Sequence, residues 1–116
     1  PMDLGLFFDF LAVRLNSDKA EGKHIKLNFD FTDIEQQYAV EMVHGVLNHT
    51  EGRQFDEADA TVSLSRETLD AFMLQQITLE EAMEKGDVTV SGEQGALNEM
   101  MSCLDDFEVW FNIVTQ

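Results

Sequence analysis

Three histidines, one cysteine and a surplus of carboxylates are the residues of this 116-residue chain that could do chemistry. Hydrolysis at a metal centre would need several of them to converge, because each zinc takes three or four protein ligands and keeps a position for water. A tight cluster such as H-x-H-x-D-H supplies that set, and the chain has none. His24 and His49 fall in separate alternating segments and His44 in a turn pair, His44-Gly45, so a shared site is not expected. Cys103 is the only cysteine, which excludes an internal disulfide. Set among Met100, Met101 and Leu104, it reads as a buried thiol and not as a nucleophile. The pairs Glu80-Glu81 and Asp105-Asp106 belong to a chain with 23 acidic residues and read as solvated surface. No G-x-S-x-G elbow, P-loop or EF-hand loop occurs. Asn48-His49-Thr50 matches a glycosylation acceptor but carries little weight. The expectation is a domain that is not an enzyme on its own, with no catalytic residue, metal ligand or cofactor.

What remains to explain is the apolar content. Asp3 to Asn16 reads as a helix with two apolar stripes: Leu4, Phe7, Phe8, Leu11 and Leu15 on one side, Leu6, Phe10 and Val13 on another. A helix apolar on two sides is expected to be covered on both, by core and by a ligand, partner or domain. Ser17 to Lys23 reads as a polar loop. His24 to Thr32 alternates, with Ile25, Leu27, Phe29 and Phe31 inward and His24, Lys26, Asn28, Asp30 and Thr32 toward solvent. Tyr38–Val43 and Val46–Thr50 flank His44-Gly45 as a hairpin.

From Asp59 to Gly92 each junction carries its own signal. Ala60, Val62 and Leu64 alternate with Thr61, Ser63 and Ser65 as a half-buried strand. Ser65 is placed to cap a helix bearing Leu69, Phe72 and Met73. Thr78 and Glu81 form a capping box, and Lys85-Gly86 the matching stop. Val88 and Val90 resume the alternation, and Ser91 with Gln94 is placed to cap a last helix carrying Ala96, Met100, Cys103, Leu104 and Phe107. About five strands, mostly antiparallel, with helices at both ends and in the middle make an α+β two-layer domain.

The charge narrows the partners. Seven basic residues against 23 acidic ones leave a net charge of −16, and after Lys85 only acidic charges follow. Such a field repels phosphate backbones and anionic headgroups, which argues against nucleic acid and acidic membranes as partners. No apolar run is long enough to cross a membrane, so no transmembrane segment is expected. Leu4 to Leu15 follows Asp3 and not basic residues, unlike a signal peptide. Cytoplasm and periplasm are both compatible with this. Pro1 ahead of Met2 is an unusual start, expected of a tag remnant or of a piece of a longer polypeptide.

The strand–helix–helix–strand–helix order of Asp59 to Leu104, with LSRETLDAFM, TLEEAMEKG and VTVSG, resembles the sterol-carrier-protein-2 family. With LFFDFLAVRLN at 6–16, KHIKLNFDFTD at 23–33 and LDDFEVWFNIVTQ at 104–116, the whole chain is similar to the C-terminal domain of bacterial alkyl sulfatases. Gln75-Gln76 stand where the broader carrier family often has a glycine, which bears on the mouth of any cavity.

The resemblance implies one SCP2-like domain over residues 1–116. It also implies a hydrophobic tunnel for a long-chain alkyl or lipid-like ligand, and a zinc-dependent metallo-β-lactamase-type sulfatase domain as partner, to which substrate would be recruited. By that analogy the apolar wall would include Phe7, Phe10, Phe72, Met73, Met100, Leu104, Trp110 and Phe111. The residues themselves leave a second reading open. The doubly apolar first helix and the aromatic C-terminal stretch would then dock another domain, or a second copy in a homodimer, around a filled core.

Overall fold

The computed structural model describes residues 3–106. Five strands, β1 (Ile25–Phe31), β2 (Gln36–Val43), β3 (Val46–Glu51), β4 (Ala60–Leu64) and β5 (Val88–Gly92), form one sheet in the order β3-β2-β1-β4-β5. All neighbours are antiparallel except β1 and β4, which run parallel. Five helices accompany them: α1 (Leu4–Val13), α2 (Ser17–Ala20), α3 (Arg66–Met73), α4 (Leu79–Lys85) and α5 (Gln94–Ser102). The expected α+β class with a mostly antiparallel five-stranded sheet is what the chain adopts.

Register explains the single core. Leu27 pairs with Val40 and Ala60, Phe29 with Tyr38 and Val62, and Phe31 with Leu64, so the apolar sets of neighbouring strands share one face. Leu64 pairs with Val88 and Val62 with Val90, which extends that face to the edge. α1, α3 and α5 cover it with Phe8, Leu69, Phe72, Ala96, Leu97 and Met100.

The punctuation signals act as expected in four places. His44 and Gly45 both have positive φ, 53° and 74°, the twist that a two-residue hairpin needs. The Ser65 hydroxyl accepts from the Thr68 amide at the start of α3, and Thr78 and Glu81 close a reciprocal capping box on α4. Gly86 ends α4 in the left-handed conformation, φ 82°.

Four expectations are corrected. The first helix stops at Val13, not Asn16. Asn16 instead caps α2, a short helix inside the segment read as a loop, by accepting from the Asp18 and Lys19 amides. Residues 14–16 pair instead with the chain beyond α5: the Asn16 backbone amide donates to the Cys103 carbonyl at 2.8 Å, and the Asp105 backbone amide to the Arg14 carbonyl at 2.8 Å. Ser91 does not cap α5; it lies in β5 opposite Thr61, and α5 begins after Glu93 without a side-chain cap. Finally, Asn28 does not face solvent but is buried, 7% exposed. The segment after β3 folds across the outer face of the sheet, and Asn28 exchanges two hydrogen bonds with the backbone of Phe55, at 2.7 and 3.0 Å. Gln54 continues the seam, its side-chain amide donating to the Tyr38 carbonyl at 3.0 Å.

Asn28→Ala would leave a covered amide and carbonyl without partners, so a loss of about 2 kcal/mol is expected in urea unfolding. Thr61→Ala, on the same face with no such seam, should cost less than about 0.5 kcal/mol; equal losses would contradict this account.

Carboxylates hold the helix starts as well. Asp33 accepts from the Arg66 amide at 2.7 Å and from Glu67 at 3.3 Å. The Arg66 bond foremost keeps its pKa below the ordinary 3.8, against partial desolvation. A depressed folded-state pKa stabilises above the unfolded value and ceases to do so as pH falls through the folded one. The neutral cap in Asp33→Asn should therefore be less stable than the parent above about pH 5, with the gap closing as pH drops through 3.8 and below. Chemical denaturation at stepped pH reads this directly, and a pH-independent gap would refute it.

Candidate functional site

Between the helices and the sheet lies a cavity of about 80 Å³ in which every lining side chain is apolar. The sheet supplies its floor: Phe29 and Phe31 from β1, Leu47 from β3, Val62 and Leu64 from β4, and Val88 from β5. Phe7 and Leu11 of α1 form one wall. Leu69 and Phe72 of α3 with Leu79 of α4 form the roof, and Leu97, Met100, Met101 and the following Leu104 close the remaining side.

The first helix, α1, cannot collapse into this space because it is pinned elsewhere. On α1 the Phe8 ring has no solvent exposure and stands 5.3 Å from Phe29, 4.9 Å from Tyr38 and 5.6 Å from the His49 ring. That cluster fixes α1 over β1, β2 and β3. The roof rests on few residues, since α3 buries Leu69 and Phe72 and α4 buries only Ala82. An unfilled space of this size costs about 2 kcal/mol, taking about 24 cal/mol per Å³. Apolar cavities stay dry, and one of about 150 Å³ admits benzene. The 80 Å³ here therefore matches a short stretch of alkyl chain unless the walls move.

The sequence-derived wall is partly brought together. Phe7, Phe72, Met100 and Leu104 line the cavity. Phe10 and Met73 pack against the core without reaching the lining, and Phe10 instead lies under the Arg14 guanidinium at 3.5 Å. Trp110 and Phe111 fall outside the described residues. The strand residues were missed, although the alternation of Phe29, Phe31, Val62, Leu64 and Val88 already marked their common face. Leu47 and Leu79 carried no such signal.

The titratable groups lie away from this space. The His24 ring nitrogen pairs with Glu41 at 2.6 Å, and His49 sits 3.8 Å from Asp9. Among the described residues no three His, Cys, Asp or Glu side chains are placed to share a metal ion. Cys103 is fully buried, with its thiol near the carbonyls of Lys19 and Glu99. No described helix is long and apolar enough to cross a membrane. The arrangement can hold an apolar chain and offers that chain no reacting group.

Comparison with known proteins agrees with the geometry. The family model for the alkyl sulfatase C-terminal domain matches residues 1–116. The chain is 59% identical over 114 residues to the linear primary-alkylsulfatase of Pseudomonas sp., covering 98% of this chain and 17% of that protein. It is 37% identical over 109 residues to alkyl/aryl-sulfatase BDS1 of Saccharomyces cerevisiae, covering 94% and 17% respectively. The stereoselective inverting sec-alkylsulfatase Pisa1 of Pseudomonas sp. superposes with a TM-score of 0.82 at 36% identity, over 90% of this chain and 16% of that one. The chain thus spans about a sixth of the length of the curated relatives it matches. For the fold alone, the palmitated SCP2L2 of Aedes aegypti matches with a TM-score of 0.62 at 17% identity, over 87% of this chain and 93% of that one.

The void itself is open to a direct test. Val62 points into it from the middle of the sheet, so Val62→Phe should fill space and change stability by less than about 1 kcal/mol, where a packed core would lose 1–3. Thermal and urea unfolding of the two forms decide it; a loss of about 1 kcal/mol or more would mean that the space is already occupied.

Proposed function

The chain belongs to the alkyl sulfatase C-terminal family, and from that premise we propose that it is an accessory domain that binds the alkyl chain of an amphiphile in the apolar cavity. Its role would be to gather long-chain substrate for a zinc-dependent hydrolase domain, for which the additional length of the relatives leaves room. The observation that carries this reading is the cavity, lined only by apolar side chains. That a protein of the same fold was solved palmitated supports it by analogy of fold.

The energetics suit a carrier. Each buried methylene contributes about 0.8 kcal/mol gross, from which ordering and association costs are subtracted. A chain of eight or more carbons needs more than the present volume, so entry must displace side chains. Met100 and Met101 are suited to that, being unbranched and adaptable. The roof is the part that yields most readily, because Ala82 is the one buried residue of α4.

A second reading has its own observation. Leu6 and Val13 on α1 are 60% and 81% exposed, an apolar strip that a neighbouring domain or a second copy would cover.

Calorimetric titration of the chain with 1-alkanols from six to twelve carbons separates the two. Affinity should rise about fourfold per methylene at a single site until the cavity is full, and Val62→Phe should weaken it at least tenfold. A flat series, with self-association that grows with protein concentration, would replace this reading with the docking one.

A further inference from the structure

We propose that the cavity favours an uncharged long-chain alcohol over the anionic sulfate ester of the same chain, so that the domain draws off the product of hydrolysis more strongly than it gathers the ester. This rests on the alkyl-binding reading above and specifies its ligand. A sulfate ester and water give the alcohol and hydrogen sulfate; only the alcohol keeps the long chain and loses the charge.

Three observations carry the inference. First, no lining side chain among the described residues is polar, so a sulfate group has no partner among them and must stay at the rim. Second, the lining residues that are not fully buried are Phe29, Leu79 and Met101, and the last two stand on helices that carry acidic residues. Leu79 is followed by Glu80 and Glu81 in the first turn of α4, and Met101 lies in α5 with Glu99. Third, four of the seven basic residues are held elsewhere. Lys19 pairs with Asp105 at 3.3 Å, Lys23 with Glu99 at 3.6 Å, and Arg66 with Asp70 at 3.1 Å. Lys26 lies over the Phe55 ring on the opposite face of the sheet. None of the seven basic residues lines the cavity.

The magnitude is set by the whole field. A net charge of −16 on a body 33 × 32 × 26 Å acts on any added anion at its rim. With a Debye length of about 8 Å at 0.15 M salt, screened Coulomb repulsion weakens the anion by about tenfold relative to the neutral ligand. At about 0.01 M salt the factor grows to about a hundredfold, and at about 1 M it shrinks to about threefold. A carrier built this way accepts a product leaving a hydrolase and resists refilling by the ester.

The test is calorimetry of the 116-residue chain with 1-octanol and with sodium octyl sulfate, the latter below its aggregation concentration, at 0.01, 0.15 and 1 M salt. The expected result is tighter binding of octanol, about tenfold at 0.15 M, with a ratio that contracts as salt rises. Octyl sulfate binding as tightly as octanol at 0.15 M, or a ratio that salt does not move, overturns the proposal while leaving alkyl binding intact. Binding of neither ligand overturns both. Chemical shifts of the Leu, Val and Met methyl groups on octanol addition keep the test independent of any variant: shifts confined to Val62, Val88 and Met100 locate the ligand in the cavity, and shifts only at exposed methyls overturn both.

Discussion

The structure depends on where one aromatic ring is buried. Phe8 excludes solvent completely while touching rings from β1, β2 and β3, so α1 is held over that half of the sheet at a fixed height. Its neighbours Phe7 and Leu11 are thereby presented sideways, as a wall, and not downward as further filling. The other half, β4 and β5, is covered by α5 together with α3 and α4, the last two only eight and seven residues long. Helices that short bring two buried apolar residues and one to the interface. A five-stranded sheet needs more than that to be filled to ordinary interior density. The cavity is the remainder of that mismatch.

Much of this was legible because the signals are local. An N-cap serine, a capping box and a glycine stop act within one turn of helix, and the His44-Gly45 pair fixes a hairpin by itself. Alternation likewise told which strand residues share a face. The failures are all non-local. Asn28 looks solvent-facing until the backbone of Phe55 is laid across it, and nothing in either residue's neighbourhood announces that pairing. Phe7 and Phe10 are both apolar residues of one helix, and only the seating of Phe8 decides that Phe7 lines the cavity while Phe10 lies under Arg14. Leu47 reaches the lining from an edge strand, which follows from register and not from pattern.

Charge and apolar surface do separate work in this domain. Part of the acidic excess is used locally: Asp33 and Glu81 sit at helix starts, where amides and the helix dipole favour a carboxylate, and Asp105 ties the end of the described chain to Asn16 and Lys19. The Asn16 side chain foremost, then Lys19, holds the Asp105 pKa below its ordinary value. The remainder forms a coat over an interior that contains no charge. On the proposed reading an amphiphile would meet both at once, its chain drawn in by area and its headgroup judged by sign.

The roof shows how such a site can stay both closed and accessible. Gln75, in the link between α3 and α4, holds φ at 58°, a conformation that suits glycine. A non-glycine residue held there costs about 1 kcal/mol, and α4 beyond it fully buries Ala82 alone, with Leu79 partly buried against the core. The empty cavity beneath it costs about 2 kcal/mol in forgone contacts, and an alkyl chain restores those contacts as it enters. Strain in the link and vacancy below it act in the same direction, lowering the work of opening and raising the return on filling. A fully packed version of this fold would be more stable and would have nothing to offer a ligand.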